Sequence, residues 1–204
     1  YPIVALRTVP CDRWMLGQCA PCGYSARAYP EDVRREDLYA SLMVQLEWIL
    51  AHFEDLFVRR SSGTLEGYRL RPAPPYPWYM LQLAGESSFF RDAEIPPRYR
   101  ELLLERLVGY QEATRINLHV MLETRPEHLL RAEESGELER LAPLFRKLDV
   151  VVNVGYEASD TFLRNVVFAK GLDDGTFDLA MRAACKYDLD PVAFVFAGGH
   201  ILTL

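Results

Sequence analysis

Short apolar runs alternate along the chain with longer segments in which apolar residues stand three or four positions apart. The short runs are rich in aliphatic and aromatic residues, which is typical of buried β-strands. We predict strands at 3–8, 79–83, 116–122, 150–154 and 192–197. The spacing in the longer segments is typical of amphipathic helices. We predict helices at 31–60, 97–110, 127–134, 137–147, 160–169 and 175–187.

Regular alternation of strands and helices predicts parallel strands joined by helical crossovers, either in an open sheet or in a barrel. We expect an α/β fold, a partial (β/α) TIM-type barrel with about five βα units. In such folds ligands bind at the carboxyl edge of the strands. Polar or glycine-containing groups follow every predicted strand: a cysteine-containing loop, Gly85-Glu86-Ser87, Glu123, Glu157 and Gly198-Gly199. We therefore expect them to share one rim.

Length and composition indicate one folded domain. The 204 residues are 50% hydrophobic, which is enough to bury a substantial core. We expect a single core domain over 1–204 with a loop insertion at 61–77, and we expect flanking segments beyond both ends. No apolar run approaches the ~20 residues of a membrane span, so we expect no membrane partner and a cytoplasmic location. The net charge of −6 disfavours nucleic-acid binding by this segment alone.

Three of the four cysteines, Cys11, Cys19 and Cys22, lie within twelve residues directly after the first predicted strand. Thiolates are ligands for both iron–sulfur clusters and zinc. A structural zinc site needs a fourth ligand, and the closest histidine, His52, falls in a predicted amphipathic helix. Three thiolates leave one iron of a cluster open, so we favour an iron–sulfur cluster over zinc or redox-active thiols. Cys185 lies in another helical pattern and is predicted to be a small core residue.

The sequence resembles the radical S-adenosylmethionine (SAM) superfamily, in the branch of the Elongator catalytic subunit and the archaeosine synthase radical-SAM subunit. Four stretches carry the resemblance, in the family's order: LRTVPCDRWMLGQCAPCGY, LQLAGESSFFRDAEIPP, LETRPEHL and VGYEASDTFLRNVVFAKG. The cysteine spacing C-x7-C-x2-C is longer than the superfamily's common C-x3-C-x2-C. Longer first gaps occur in this branch.

The resemblance implies a 4Fe-4S cluster on the three cysteines and SAM as the second cofactor. One electron from the cluster would cleave SAM to a 5′-deoxyadenosyl radical, which abstracts hydrogen from the substrate. The implied SAM contacts come from the segments that follow the first four predicted strands. They are Tyr24 against the adenine, Gly85, Glu86 and Ser87 in the turn after the second strand, Glu123 and Glu157 after the third and fourth strands, and Lys170 near the SAM carboxylate.

Each implied contact has a plain structural alternative. Tyr24 is equally suited to the core and Glu86 to a helix cap. Glu123 would instead pair with Arg125, Glu157 would cap the next helix, and Lys170 would be an exposed lysine.

The substrate stays open at this point. His200 stands where the branch has a proline-containing turn, so it is a weak candidate for a substrate contact. The substrate would be a small molecule or peptide of a biosynthetic pathway, or a tRNA nucleoside as in tRNA modification by archaeosine synthase. An external electron donor such as flavodoxin or ferredoxin is implied. The alternative from another class is a non-catalytic binding module stabilised by zinc or a cluster.

Overall fold

The computed structural model describes residues 3–8, 34–53, 79–83 and 88–195. These residues form a five-stranded sheet in which every pair of neighbouring strands is parallel. The strands follow one another across the sheet in chain order. Their bounds are β1 Ile3–Ala5, β2 Tyr79–Leu83, β3 Leu118–Thr124, β4 Asp149–Glu157 and β5 Asp190–Val195. All five predicted strands are confirmed, with ends displaced by a few residues.

Five α-helices and one π-helical turn accompany the strands in the described part of the chain. The helices are α1 Arg35–Ala51, α2 Pro97–Thr114, α3 Pro126–Glu134, α4 Glu137–Phe145 and α5 Asp174–Lys186. Two of them begin with a proline in the first turn, where the missing N–H costs no intrahelical hydrogen bond. Asp173 caps α5 by accepting a hydrogen bond from the Thr176 amide.

One face of the sheet is covered by helices. In β3 the residues Leu118, Val120 and Leu122 are completely buried, and the residues between them are only partly buried. The buried set joins apolar residues of all five helices in a single core. Strands in chain order, with their helices on one face, match the arrangement of a (β/α) barrel, because a doubly wound sheet reverses its strand order at a switch point. The fold is therefore α/β and has the architecture of a partial TIM-type barrel.

One local prediction was inexact and another was wrong. The helix predicted at 160–169 is present but shorter, over 161–167, and it has π-helical geometry at Leu163–Val167. This wider turn goes with a fully buried Arg164, whose side chain binds carbonyls on both sides of the segment.

Cys185 is exposed rather than in the core. The buried stripe of α5 consists of Ala180, Ala183 and Ala184. Residue 185 lies one position further round the helix, about 100° from Ala184.

No helix in the described ranges is long and apolar enough to cross a membrane.

Candidate functional site

Glu123 lies near the carboxyl end of β3, on the sheet face opposite the helical core. Its neighbours Leu122 and Thr124 are buried in the core face, whereas Glu123 is partly buried. The Gln82 amide on β2 donates a hydrogen bond to Glu123 Oε2 at 3.0 Å. On the other side, Asn153 of β4 is the register partner of Glu123. The carboxyl group is thus flanked by an amide residue on each neighbouring strand.

The carboxyl group of Glu123 is only weakly acidic. Burial raises its pKa from 4.5 to about 7, and the negative charges of Glu157 and Glu94 add to the rise. The nearby Lys170 charge and the Gln82 hydrogen bond act in the opposite direction but do not cancel it. Glu123 therefore carries a proton part of the time near neutral pH, and a cation placed beside it would favour the ionised form.

Glu157 ends β4 and forms an ion pair with Lys170. The Lys170 ammonium donates to Glu157 Oε1 at 2.7 Å, with the two side chains 7% and 22% exposed. Glu157 has a φ of 69°, in the left-handed region that non-glycine residues rarely adopt. It follows an irregularity in the β4–β5 pairing between Gly155 and Glu157. The bulge directs this one carboxylate toward Lys170 at the edge of the sheet.

Gly155 provides the space for this ion pair. A Cβ atom at residue 155 would lie 2.7 Å from Lys170 Nζ and 3.2 Å from Glu157 Oε1. Both distances are shorter than ordinary van der Waals contacts. A side chain at 155 would therefore force the ammonium group away from its present position.

Lys170 is held in place through its backbone by the buried Arg164. The Lys170 amide donates to the Arg164 carbonyl at 3.0 Å. The Arg164 guanidinium donates to the carbonyls of Ala158 at 2.8 Å and Leu172 at 2.9 Å, and it pairs with Asp174 at 2.7 Å. These contacts tie both ends of the 158–172 segment to one side chain.

Two structural alternatives from the sequence are not what the structure shows. Arg125 forms its ion pair with Glu127, at 2.7 Å, rather than with Glu123. The turn after β4 is capped by Asp160, whose carboxylate accepts from the Leu163 amide at 2.8 Å, rather than by Glu157. Glu123 and Glu157 therefore both lie near Lys170 at the carboxyl edge of the sheet.

Gln82 and Asn153 were not predicted as site residues. Each is a single polar residue inside an apolar strand, in YMLQL and VVVNV, and this was the signal available in the sequence. Among the described residues, the Asn153 side-chain amide donates to the Met121 sulfur alone, at 2.9 Å. A thioether is a weak acceptor, so the Asn153 amide is suited to exchange this contact for a better one with a ligand.

Most predicted site residues lie outside the described residues. This applies to Cys11, Cys19, Cys22, Tyr24, Gly85, Glu86, Ser87 and His200. The backbone nevertheless fixes where two of these segments start. Because β1 and β2 run parallel to β3, the chain leaves them toward residues 9 and 84 at the same edge of the sheet as Glu123. Within the four described ranges, no group of three or more potential metal ligands comes together.

The described edge can bind a charged, polar ligand. Glu123 has no fixed cation bonded to it in the described part of the site and suits an ammonium group. Lys170 has three N–H donors, of which one binds Glu157. The others suit a carboxylate. Both ends of an amino-acid group would thus find partners within one small region.

The structure is similar to that of a queuine lyase from Clostridium spiroforme bound to SAM and queuine. The two chains are 15% identical and superpose with a TM-score of 0.44, covering 97% of this chain and 76% of that chain. No family model and no curated protein matches the sequence. A likeness of this degree does not assign the chain to a family.

Proposed function

We propose that this protein is a radical-SAM enzyme that cleaves SAM reductively at a 4Fe-4S cluster and abstracts hydrogen from a substrate. The observation that carries the proposal is the cysteine set Cys11, Cys19 and Cys22 in the segment that follows β1. Three thiolates can hold a cluster and leave one iron open for a ligand. The parallel strands support this, because β1 leads toward the edge that bears Glu123 and Glu157.

The bound cluster would supply the electron that breaks the sulfonium bond of SAM. The described residues would bind and orient SAM. Glu123 accepts a hydrogen bond from the SAM ammonium, which shifts the carboxyl group to its ionised form. Lys170 remains paired with Glu157 and directs its other donors to the SAM carboxylate. Gly85, Glu86, Ser87 and Tyr24 are proposed as further contacts on the sequence resemblance alone.

The residues fit SAM because they offer opposite charges to its two charged ends. A zwitterion taken out of water needs both charges compensated. Glu123 would provide the negative partner and Lys170 the positive one. The raised pKa of Glu123 supports this role, since burial disfavours the ionised form of the carboxyl group and a bound ammonium group would favour it.

The branch of the superfamily, the domain organisation and the electron donor are also proposals. We place the chain in the branch of the Elongator and archaeosine synthase enzymes, as a single core domain that receives its electron from flavodoxin or ferredoxin. We propose a tRNA nucleoside, a peptide or a small molecule as the substrate. If a tRNA is the substrate, its affinity should fall steeply with added salt.

Metal analysis of cysteine variants tests the proposal. After anaerobic reconstitution, Cys19→Ser should lose most of its iron and acid-labile sulfide, because the segment has three cysteines for three cluster ligands and none is spare. Cys185→Ser is the matched control, since Cys185 is an exposed cysteine on α5, and should reconstitute like the parent. Stoichiometric zinc without labile sulfide in the parent would instead favour the binding-module alternative.

A further inference from the structure

A buried group of polar side chains attaches Ser88, in the β2–α2 loop, to the end of β3. Its centre is Ser88, which is completely buried and is the first described residue after the segment 84–87. The Ser88 hydroxyl lies 2.7 Å from His128 Nδ1 on α3 and 2.8 Å from the Thr124 hydroxyl on β3. The Arg125 amide donates to the same oxygen at 3.3 Å.

One arrangement of protons satisfies all of these contacts. The Thr124 hydroxyl is 3.2 Å from the Arg125 carbonyl and donates to it. Ser88 then donates to Thr124 and accepts from the Arg125 amide and from a protonated His128 Nδ1. A hydroxyl has one donor and two acceptor positions, so these contacts use all of them. His128 is 6% exposed and Thr124 2% exposed.

Backbone hydrogen bonds reinforce the same attachment. The Phe89 amide donates to the Glu123 carbonyl at 2.7 Å. The Ser88 amide donates to the buried carboxylate of Glu94 at 2.8 Å. The peptide that carries the Glu123 side chain is therefore bonded directly to Phe89, the residue after Ser88.

The close contact between a serine and a histidine does not make Ser88 a nucleophile. Its side chain has no solvent exposure, and its hydroxyl is saturated by three neighbours. No substrate atom could reach it without breaking this group of hydrogen bonds. Its contacts instead join two segments, which is a structural connection between parts of a site.

We propose that Ser88 and His128 are positioning residues for SAM. Their hydrogen bonds hold Ser88 and Phe89 against the peptide that carries Glu123, so that the Glu123 carboxyl group keeps its position for the ligand. The inference rests on the proposed function for the identity of the ligand. The attachment itself rests on the hydrogen bonds around Ser88. Neither residue touches SAM in this proposal.

Variants of His128 test the role of its hydrogen bond, using the full chain reconstituted anaerobically. His128→Ala removes the donor to Ser88. SAM affinity, followed by the electronic spectrum of the cluster, should fall about three- to tenfold. Hydrogen exchange of the Ser88 and Phe89 amides, which bond to Glu94 and to the Glu123 carbonyl, should become faster in the SAM-free protein. His128→Asn keeps an N–H near the position of Nδ1 and should restore both properties.

Two further variants provide a control and a second test. Ser135→Ala removes a partly buried serine hydroxyl from the other end of α3, where it donates to Ala132 at 3.1 Å. It should behave like the parent. If His128→Ala does not fold, Thr124→Val removes another partner of Ser88 with little change of shape and should give the same losses of SAM affinity and exchange protection.

Three results would overturn the inference. The first is parent-like SAM affinity in folded His128→Ala and Thr124→Val. The second is equal impairment of His128→Ala and His128→Asn, which would mean that packing of the ring matters and its hydrogen bond does not. The third is unchanged exchange of the Ser88 and Phe89 amides in all variants. If the parent itself fails to bind SAM, the proposed function fails, and exchange of these two amides still decides whether the attachment exists.

Discussion

At the scale of single residues, the informative side chain is Glu123. It lies between two amide residues at the end of β3, and burial raises its pKa to about 7. Arg125, the nearest cation in sequence, binds Glu127 instead. A carboxyl group whose pKa is raised by burial reduces the stability of the folded protein when it is ionised. This cost is typical of binding sites, where a ligand supplies the missing charge.

The raised pKa predicts how Glu123→Gln changes stability with pH. The folded protein binds this proton more tightly than the unfolded chain, so the stabilising contribution is complete below pH 4.5 and is lost as pH rises through about 7. A glutamine at position 123 does not ionise, so the variant does not lose stability in this way as pH rises. We expect the variant to gain about 1–3 kcal/mol over the parent between pH 5 and 8. Urea unfolding across that range measures the difference.

Glu105→Gln is the control for this experiment, because it removes an exposed carboxylate from α2. Its unfolding free energy should run parallel to that of the parent. Parallel curves for Glu123→Gln as well would mean that the pKa of Glu123 is not raised.

At the scale of elements, the periodicity of apolar residues was sufficient for most of the fold. The short run at 79–83 is β2 without any displacement, and the prolines at 96 and 97 marked the start of α2. The π-helical form of the segment Leu163–Val167 was not predictable in this way. Its geometry accompanies a buried Arg164 bound to backbone carbonyls before and after it, and a local pattern does not reveal which arginine will be buried.

The ion pair between Lys170 and Glu157, at the bulge that ends β4, can be tested through its neighbour Gly155. Gly155→Ala would bring a Cβ atom to 2.7 Å from Lys170 Nζ. Because the end of a lysine side chain moves easily, we expect Lys170 to shift away from Glu157 while the sheet stays intact. SAM affinity should fall about tenfold, as for the loss of one charge-assisted hydrogen bond. Calorimetric titration with SAM gives the affinity.

Gly109→Ala is the matched substitution for Gly155→Ala. A Cβ atom at Gly109, inside α2, meets nothing within 4 Å. It should leave SAM affinity unchanged and stabilise the helix by about 0.5–1 kcal/mol. Unchanged SAM affinity in Gly155→Ala as well would separate Lys170 from the SAM site.

At the scale of the whole molecule, the alternation of strands and helices predicted a parallel α/β fold and left open whether the sheet is open or part of a barrel. The strands β1 to β5 follow one another across the sheet in chain order, which favours a partial barrel. The shared rim was predictable for Glu123 and Glu157, because parallel strands end at the same edge. The Lys170–Glu157 pair was not, since it depends on a bulge and on Arg164. Exposure of Cys185 depends on which face of α5 meets the core.

The central claim is that this rim binds SAM beside a cluster and cleaves it. The most direct measurement is anaerobic reconstitution of the chain with iron and sulfide, followed by incubation with SAM and a strong one-electron reductant. We predict that 5′-deoxyadenosine and methionine form in equal amounts, and that neither forms in Cys19→Ser. A fully reconstituted parent protein that binds SAM but releases no 5′-deoxyadenosine under reducing conditions would contradict the account.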